Sequence, residues 1–565
     1  MRQPFSRVFV TGTNVVLLSS LLMGCAVSEG ARAGRARDPM GSPAAPAGVA
    51  RPPAPEPVSQ AEFAARRAAL ARELEDGVFV ALGTPTPSHD YLPWAQSSSF
   101  RYLTGILEPD AALVMVKEGG RVDELLFVQP RDPAREVWEG RRLGPEGAAA
   151  LTGIRALPRP ELAAVLDSIL GGAAAAPVGS TDGGAGRGEA SERSDASGAA
   201  DGSAGRPIRL YTLVPVPPGP RPLQPLSPEQ QFLARIVADR PWLEVVPVGR
   251  KVLELRGEKS DAERSLIRAA VHITALAHRQ AMAAIEPGMN EFELQALIEY
   301  TFRRNGAERP AFASIVGSGP NATTLHYNAN DRYMGADDVV VIDIGASYGG
   351  YAADVTRTLP VRGRFSAEQR AIYEIVLAAQ KAAEARVRPG VTWAELHEAA
   401  NTVLADGLAR LGLIDSPDAT YVCSAAGRRC PQFRLFYMHG LGHGVGLDVH
   451  DPDGARNGAL PVGSAFTIEP GLYIRADALD YLPDTEENRE LRRRLGPAVR
   501  RYRDIGVRIE DVYFVTATGY ERISAGVPRE IDEIEALLAG PRLTRADRDP
   551  VVVEWYRTIG AGDPR

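Results

Sequence analysis

A unit of two helices and two strands occurs twice in this chain, and this repeat constrains the fold more than any other feature. Proline stops a helix, whereas Asn or Thr followed three residues later by Glu starts one. A helix stop, a helix start and the leucine after the start recur with an offset of 102 residues. They are Pro287, Asn290, Glu293 and Leu294 in the first copy and Pro389, Thr392, Glu395 and Leu396 in the second.

Each helix pair is followed by two strands that carry acidic residues. The first strand holds Asp343 in one copy and Glu469 in the other, and the next strand region holds Asp354 and Glu510. Chance similarity of helix caps would explain the helices, but it explains the matched acidic strands less well. The pattern therefore predicts a duplicated unit in which each half supplies a pair of carboxylates.

The first acidic pair lies in the stretch from Val339 to Leu359, which reads VVVIDIGASYGGYAADVTRTL. Two apolar runs flank a turn, so the segment predicts a β-hairpin. A turn centred on Tyr348-Gly349 would place Asp343 directly opposite Asp354, with their Cβ atoms about 5 Å apart. Two buried carboxylates that close repel each other unless a proton or a cation intervenes, and two divalent ions about 3.5–4 Å apart would fit. The alternative is an ordinary hairpin with exposed aspartates.

The length of 565 residues allows two domains, and a net charge of −7 without a basic stripe argues against a nucleic-acid partner. Alternating helix and strand patterns predict a first α/β domain over 58–250, the duplicated unit over 251–525 and a tail over 526–565 with a short helix at 531–538. A Gly-, Ala- and Ser-rich run at 171–206 predicts a disordered surface insertion. The charged run at 476–504 predicts a solvated excursion.

Residues 1–25 are typical of an export signal. Arg2 and Arg7 precede an apolar run that ends at Leu22-Met23-Gly24-Cys25. The segment resembles a bacterial lipoprotein signal, which implies a lipid anchor on Cys25 and a periplasmic or cell-envelope location. A plain secretory signal is the alternative. The Ala-, Arg- and Pro-rich residues 26–57 predict a flexible tether.

Three of the eight histidines, His439, His443 and His450, lie within the run MHGLGHGVGLDVHD at 438–451. Its alternating glycines disfavour a helix and let the backbone approach an ion or a substrate closely. His443 and the four acidic residues of the repeat would form a donor set that favours Mn, Co, Fe or Zn over Ca. A water bridging two such ions would have a pKa near 7 and would attack a carbonyl.

The five residues Asp343, Asp354, His443, Glu469 and Glu510, in that order, resemble the metal ligands of the pita-bread metallopeptidases, which include methionine aminopeptidase, prolidase and aminopeptidase P. The segments HGLGHGVGLDVHD, TIEPGLYI and GVRIEDVYFVT are similar to aminopeptidase P, and FRYLTGILEPDAALV and RDPAREVWEGRRLGPEG are similar to its N-terminal domain. The resemblance implies an α+β protein with an N-terminal α/β domain followed by a pseudo-twofold pita-bread catalytic domain.

The resemblance also implies a role for each site residue. Asp343 would bind one of two divalent metals, Asp354 and Glu510 would bridge both, and His443 and Glu469 would complete the other. Manganese is the expected metal, with cobalt, zinc or iron as alternatives. Glu469 would also take a proton from the bridging water.

Four further residues receive roles outside the metal shell. His326 would lie near the scissile carbonyl, while His439 and His450 would steady the tetrahedral intermediate and the proline side. Arg508 matches the arginine beside the last glutamate and would orient the metal ligands from behind. The implied enzyme removes the N-terminal residue from peptides with proline in second position, and it acts as a homo-oligomer, either a dimer or a tetramer.

Three alternatives stay open. A prolidase would apply the same chemistry to dipeptides only, a creatinase-like hydrolase would need no metal and therefore not all five ligands, and a non-catalytic binding protein of this fold would have lost ligands. Separately, Cys423 and Cys430 lie seven residues apart. An exported compartment would permit a disulfide between them, and two free thiols are the alternative.

Overall fold

The computed structural model of the protein describes residues 53–89, 94–172, 207–216 and 225–540. The export signal, most of the tether, nearly all of the insertion at 171–206 and the end of the tail lie outside these described residues. Within the described part of the chain, no helix combines the length and the apolar character that crossing a membrane requires.

The N-terminal part is built around one mixed sheet. Its elements are α1 (Gln60–Arg72), β1 (Gly77–Leu82), α2 (Ser98–Thr104), β2 (Ala112–Glu118), β3 (Arg121–Val128), α3 (Pro133–Glu139), α4 (Gly144–Thr152), β4 (Arg155–Pro158), α5 (Leu162–Gly172), β5 (Ile208–Thr212), α6 (Pro228–Ala238), β6 (Leu243–Pro247) and α7 (Gly249–Arg256). The strand order is β4-β3-β2-β1-β5-β6. Strands β1, β2 and β3 are antiparallel neighbours, whereas β4, β5 and β6 join in parallel.

The sheet is buried on both faces because alternate residues of a strand point in opposite directions. Val78 and Val80 pack in a cluster with α5 and α6. Phe79 and Ala81 belong to the larger core that continues into the C-terminal part. This is the α/β architecture that the alternation of helices and strands predicts.

The C-terminal part contains both copies of the repeat. Its elements are α8 (Asp261–Ala284), α9 (Glu291–Arg304), β7 (Arg309–Pro310), β8 (Ile315–Ser318), β9 (Val339–Ile344), β10 (Ala346–Tyr348), β11 (Tyr351–Ala352), β12 (Val355–Pro360), α10 (Ala367–Glu384), α11 (Trp393–Arg410), β13 (Thr420–Val422), β14 (Arg429–Pro431), β15 (Ala465–Ile468), β16 (Gly471–Ile474), α12 (Glu486–Tyr502), β17 (Ile505–Arg508), β18 (Asp511–Thr516), β19 (Gly519–Arg522) and α13 (Ile531–Leu538). Helix α13 has the bounds that the sequence predicts.

The paired helices of the repeat begin as predicted. A reciprocal capping box forms at the start of each one, with Ser260, Asn290, Ser366 and Thr392 as the N-cap residues. The second N-cap of each copy also makes a matching single β-bridge, from Asn290 to Tyr333 and from Thr392 to Ala459. The local geometry of the two copies therefore agrees beyond the helix caps.

The acidic strands of the two copies lie side by side. The first copy forms the sheet β12-β9-β8, and the second forms β15-β18-β19 and the pair β16-β17. The backbone N–H of Glu510 donates to the carbonyl of Thr356 at 3.1 Å. Two residues further along each strand, the N–H of Arg508 donates to Thr358 Oγ1 at 3.1 Å. These contacts join the two halves where the carboxylates are.

The register of the first hairpin differs from the prediction. Tyr348 pairs with Tyr351, so the turn centres on Gly349-Gly350 and not on Tyr348-Gly349. Both glycines have positive φ, 57° and 83°, which glycine adopts without strain and which suits a two-residue hairpin turn. Asp343 therefore faces Thr356. The prediction that Asp343 lies directly opposite Asp354 is wrong. The two aspartates are diagonal neighbours instead.

The prediction of a solvated excursion at 476–504 is also wrong. Helix α12 fills most of this stretch and buries an apolar face formed by Leu491, Leu495, Val499 and Tyr502. Asn488 at its start donates to the carbonyl of Val422 at 2.9 Å, which attaches the helix to the β13-β14 hairpin. A disulfide between Cys423 and Cys430 closes that hairpin.

Candidate metal centre

The ends of strands from both copies surround one cavity of about 580 Å³. Asp343 lies in β9, Asp354 directly precedes β12, Glu469 directly follows β15, and Glu510 lies between β17 and β18. The cavity is lined by all nine residues that the sequence predicts for the site: His326, Asp343, Asp354, His439, His443, His450, Glu469, Arg508 and Glu510. The diagonal arrangement of the aspartates thus still brings both to the same space.

His443 is oriented toward the carboxylates. Its Nε2 lies 3.5 Å from Asp354 Oδ2, 3.4 Å from Glu469 Oε1 and 3.8 Å from Glu510 Oε1. Its Nδ1 lies 3.0 Å from the carbonyl oxygen of Gly444, and because a carbonyl only accepts, Nδ1 carries the proton. Burial lowers the pKa of His443 to about 4. The imidazole is therefore neutral at pH 7 and presents the lone pair of Nε2 to the cluster.

Three carboxylates of the cluster, those of Asp354, Glu469 and Glu510, lie where ionisation is unfavourable. Burial, followed by the charge of Glu510, raises the pKa of Asp354 and of Glu469 well above their ordinary values. Burial and then the charge of Asp343 raise the pKa of Glu510 to about 7. Cations would remove this penalty because they favour the charged form of each group.

The arrangement fits divalent metal ions. Three buried carboxylate oxygens in the cavity have no hydrogen-bond partner among the described residues: Asp343 Oδ1, Asp354 Oδ1 and Glu510 Oε1. Ligand atoms of Asp354, His443 and Glu510 all lie within 4.8 Å of one another. Buried oxygens without a donor are costly, whereas a carboxylate-rich set with one imidazole is a suitable donor set for first-row metals.

A layer of hydrogen bonds fixes these side chains from behind. Arg508 donates from Nη2 to Asp343 Oδ2 at 2.7 Å and from Nη1 to the hydroxyl oxygen of Tyr473 at 2.8 Å. Thr356 Oγ1 donates to Glu510 Oε2 at 2.8 Å. Arg508 thus bonds to Asp343, a predicted ligand in the other half of the repeat.

His439 has a protein partner on each ring nitrogen. Its Nδ1 lies 2.7 Å from the carbonyl oxygen of Gly440, and its Nε2 lies 2.9 Å from the hydroxyl of Tyr473. Since Arg508 donates to that hydroxyl oxygen, the tyrosine proton is free to bond to Nε2. Burial, followed by the charge of Arg508, lowers the pKa of His439 to about 4. The ring is thus neutral and fixed in orientation.

His450 and His326 also line the cavity. The ring of His450 packs on that of His443 with 3.9 Å between centroids. Burial and then the charge of His326 lower the pKa of His450, so these two imidazoles face the same space. Phe312, Ile315 and Val449 provide an apolar wall beside them.

Two residues of the site are absent from the sequence-based interpretation. Tyr473 bonds to both Arg508 and His439, and Thr356 bonds to Glu510. Thr356 could have been found from the Gly-Gly turn, because the correct register places it opposite Asp343. Tyr473 gives no such local signal, since its partners lie on other segments.

Comparison with known proteins agrees with this geometry. Residues 265–517 match metallopeptidase family M24, and residues 63–177 match the N-terminal domain of aminopeptidase P. The Xaa-Pro aminopeptidase of Escherichia coli (strain K12) is 34% identical over 494 residues, which cover 86% of this chain and 99% of that protein. The Xaa-Pro dipeptidase of Homo sapiens is 34% identical over 313 residues, which cover 51% of this chain and 62% of that protein.

Solved structures of aminopeptidase P resemble this chain over most of its length. A Glu-to-Ala variant of Escherichia coli aminopeptidase P in complex with substrate superposes with a TM-score of 0.67 at 31% identity, covering 86% of this chain and 99% of that chain. An aminopeptidase P described as putative, from Bacillus anthracis, gives a TM-score of 0.68 at 28% identity. The fold and the donor cluster define a metallopeptidase with a pita-bread catalytic domain. The chain belongs to metallopeptidase family M24, in its aminopeptidase P branch.

Proposed function

We propose that this protein is a metal-dependent aminopeptidase that removes the N-terminal residue from peptides with proline in second position. The observation that carries the proposal is the cavity in which one neutral imidazole and four carboxylates converge, with three of their oxygens left without a donor. A prolidase is the second candidate. The match to an aminopeptidase extends over 86% of this chain and that to a dipeptidase over 51%, which favours the aminopeptidase.

The five predicted ligands would hold two divalent ions, and manganese is our first expectation. Such ions supply a hydroxide nucleophile near neutral pH and polarise a carbonyl. Asp343 is held by Arg508 and Glu510 by Thr356, so each presents one unpaired oxygen to the cavity. This fixed orientation is what the protein itself contributes to metal binding.

Glu469 is our candidate for the proton acceptor. Its carboxylate lies between the cluster and His439, with Oε2 3.9 Å from His439 Nδ1. It is placed to accept a proton from a water held in the cavity and to release it again. From there the proton can reach the amine of the leaving peptide.

The histidines would position the substrate. His450 and His326 line the cavity, and we place the scissile carbonyl and the proline after it beside them. His439 can hold a developing oxyanion only if that oxygen displaces the carbonyl of Gly440 from Nδ1, since Nε2 is engaged by Tyr473. The bond before proline lacks an N–H, so recognition of the proline depends on shape and apolar contact, for which Phe312, Ile315 and Val449 are available.

A substrate panel tests the proposal. The chelated protein is incubated with individual metals and with Ala-Pro-Ala-Ala, Ala-Ala-Ala-Ala and the dipeptide Ala-Pro. Release of alanine from Ala-Pro-Ala-Ala alone, restored by manganese, is the expected result. Activity confined to the dipeptide would establish a prolidase instead, and activity unaffected by chelation would contradict the metal-dependent mechanism.

We further propose that the protein is exported and anchored by a lipid on Cys25, and that it works as a homo-oligomer. The pairing of Cys423 with Cys430 supports an oxidising compartment, because disulfides persist there and are rare in the cytosol. Labelling with a fatty acid that is lost in Cys25→Ala would support the anchor. Unlabelled wild-type protein would contradict it, and sedimentation would measure the assembly.

A further inference from the structure

A groove continues from the metal cavity along the boundary between the N- and C-terminal parts. The metal cavity shares Val449 and His450 with a second cavity of about 260 Å³. The second cavity shares Arg309, Gly350 and Leu447 with a third, also of about 260 Å³, which reaches α2 of the N-terminal part. An enzyme that cuts after the first residue must accommodate the rest of the peptide on one side, and this groove begins beside His450.

The floor of the second cavity is suited to an extended backbone. Ala311, Ser347, Gly350 and Ala352 line it and are all small. Ser347 is only 2% exposed, and its Oγ has no hydrogen-bond partner among the described residues. A buried hydroxyl without a partner is unfavourable, and a peptide N–H or carbonyl in the groove would satisfy it.

Two arginines line the far part of the groove. Arg309 is exposed, and its guanidinium makes a long contact of 3.4 Å with the neighbouring carbonyl oxygen of Pro310. Arg101 of α2 faces the same space, where it donates to the carbonyl of Gly349 at 2.6 Å. Burial lowers the pKa of Arg101, the charge of Glu308 opposes this effect, and the charge of Arg309 contributes a smaller lowering. Both guanidinium groups line the third cavity.

The acidic groups near the groove have partners of their own. Glu308 lies 3.9 Å from Arg101, and Asp448 is paired with Arg256 at 2.6 Å and accepts from Ser98. Arg309 is therefore the cation in this groove that is best placed to receive an anion from outside. A carboxylate at this point would also reduce the repulsion between the two arginines.

We propose that this groove binds the part of the substrate that follows the proline, with Ser347 Oγ bonded to the peptide backbone and Arg309 to a carboxylate. The inference rests on the proposed function and adds a substrate class to it, namely peptides with an acidic group beyond the proline. That carboxylate belongs either to a Glu or Asp side chain or to the C-terminus of a short peptide.

The test uses amidated pentapeptides of the form Ala-Pro-Ala-Ala-Ala with Glu or Gln at position three, four or five. At one of these three positions, the peptide with Glu is expected to have a kcat/KM about fivefold higher than the peptide with Gln, which is the effect of one favourable charge contact. Added salt is expected to reduce this Glu/Gln ratio of kcat/KM. In Arg309→Gln the Glu/Gln ratio falls to about one, and in Arg309→Glu it inverts. The free-acid form of the neutral peptide separates the C-terminal carboxylate from the side chain.

Arg121→Gln is the matched control, because Arg121 is an exposed arginine on β3 that pairs with Asp123 away from the groove. It is expected to keep the wild-type Glu/Gln ratio. Ser347→Ala is expected to raise KM for pentapeptides more than for Ala-Pro-Ala. A Glu/Gln ratio that is the same in wild type and in Arg309→Gln would overturn the proposal. Failure to cleave any of the peptides would instead count against the proposed function.

Discussion

Thr356 donates a hydrogen bond to Glu510 at 2.8 Å, and this bond connects the two halves of the repeat inside the metal centre. Both residues are almost fully buried. The bond occupies Glu510 Oε2, while Oε1 is left unpaired 3.8 Å from His443 Nε2. The hydroxyl thereby decides which oxygen of the glutamate is offered to a metal.

The variant Thr356→Val tests this role because valine keeps the shape and removes the hydroxyl. Loss of a residue that orients a ligand typically weakens metal binding about 10- to 100-fold, and we expect an effect of that size. Titration of the chelated protein with Mn²⁺ in a calorimeter measures it. Thr402→Val, on the exposed side of α11, is the control. Equal affinities in the two variants would contradict the role.

The charge of the carboxylate cluster predicts opposite effects on activity and on stability. Asp354→Ala and Glu510→Ala are each expected to abolish metal-dependent hydrolysis while the fold is kept.

In the chelated state, Glu510→Gln is expected to melt at a higher temperature than wild type above pH 7, because one of several mutually repelling buried charges is gone. With saturating metal the order reverses, since wild type gains more from binding.

Melting curves with chelator and with Mn²⁺ measure both states. Near-wild-type turnover in either alanine variant would exclude the bridging role. A chelated Glu510→Gln that melts below wild type would show that the cluster is not under electrostatic strain.

Glu229, in the first turn of α6, predicts a pH dependence that is independent of the metal centre. Burial raises its pKa to about 7, and its Oε1 has no partner among the described residues. A raised pKa means that the folded state favours the protonated form of Glu229. The contribution of this group to the free energy of unfolding is therefore complete below about pH 4.5 and is lost as the pH rises through 7. The loss is on the order of 3 kcal/mol.

Glu229→Gln removes this titration. Its free energy of unfolding, minus that of wild type, is therefore expected to increase between pH 5 and pH 8 in urea titrations. Gln231→Ala on the same helix changes no titratable group and should follow the wild-type pH curve. A Glu229→Gln difference that stays constant across the range would show that the carboxyl group is hydrated and ordinary.

The features that sequence predicts correctly are local or carried by motif spacing. Ser260 and Glu263 can form a capping box without any other part of the chain, so the starts of the four paired helices were predictable. Glu469 and Glu510 were identified by the segments around them, and the structure brings both to the same cavity. Their individual roles as ligands stay predictions.

Two of the errors concern local signals that were misread, and one concerns contacts that exist only in the folded protein. The turn register depended on which two residues take positive φ, and the two adjacent glycines decided it. Helix α12 was missed because its many arginines made the stretch look solvated, although Leu491, Leu495, Val499 and Tyr502 recur at helical spacing and belong to the core. Tyr473 could not be assigned a role because Arg508 and His439 meet it only in the folded protein.

A buried ion cluster fixes the loop that carries His450, and it provides the last prediction. Asp451 accepts from Lys259 Nζ at 2.8 Å and from Arg256, and all three side chains are nearly inaccessible. Arg256 also donates to Ser99 Oγ at 3.2 Å, so the N-terminal part takes part in the cluster. Through Asp451 these cations hold the adjacent His450, whose ring packs on His443.

Lys259→Met removes one of the two cations and leaves Asp451 undercompensated. Breaking a buried pair is expected to cost about 3–5 kcal/mol of stability. Because a displacement of about 1 Å can reduce catalysis about a hundredfold, kcat/KM is expected to fall by one to two orders of magnitude. Mn²⁺ affinity should be largely retained, since Lys259 contacts none of the five predicted ligands in the structure.

Arg456→Met, which breaks an exposed pair with Glu258 close to the same loop, is the control. If kcat/KM in Lys259→Met fell only in proportion to metal occupancy, the cluster would act on the metal site and not on His450.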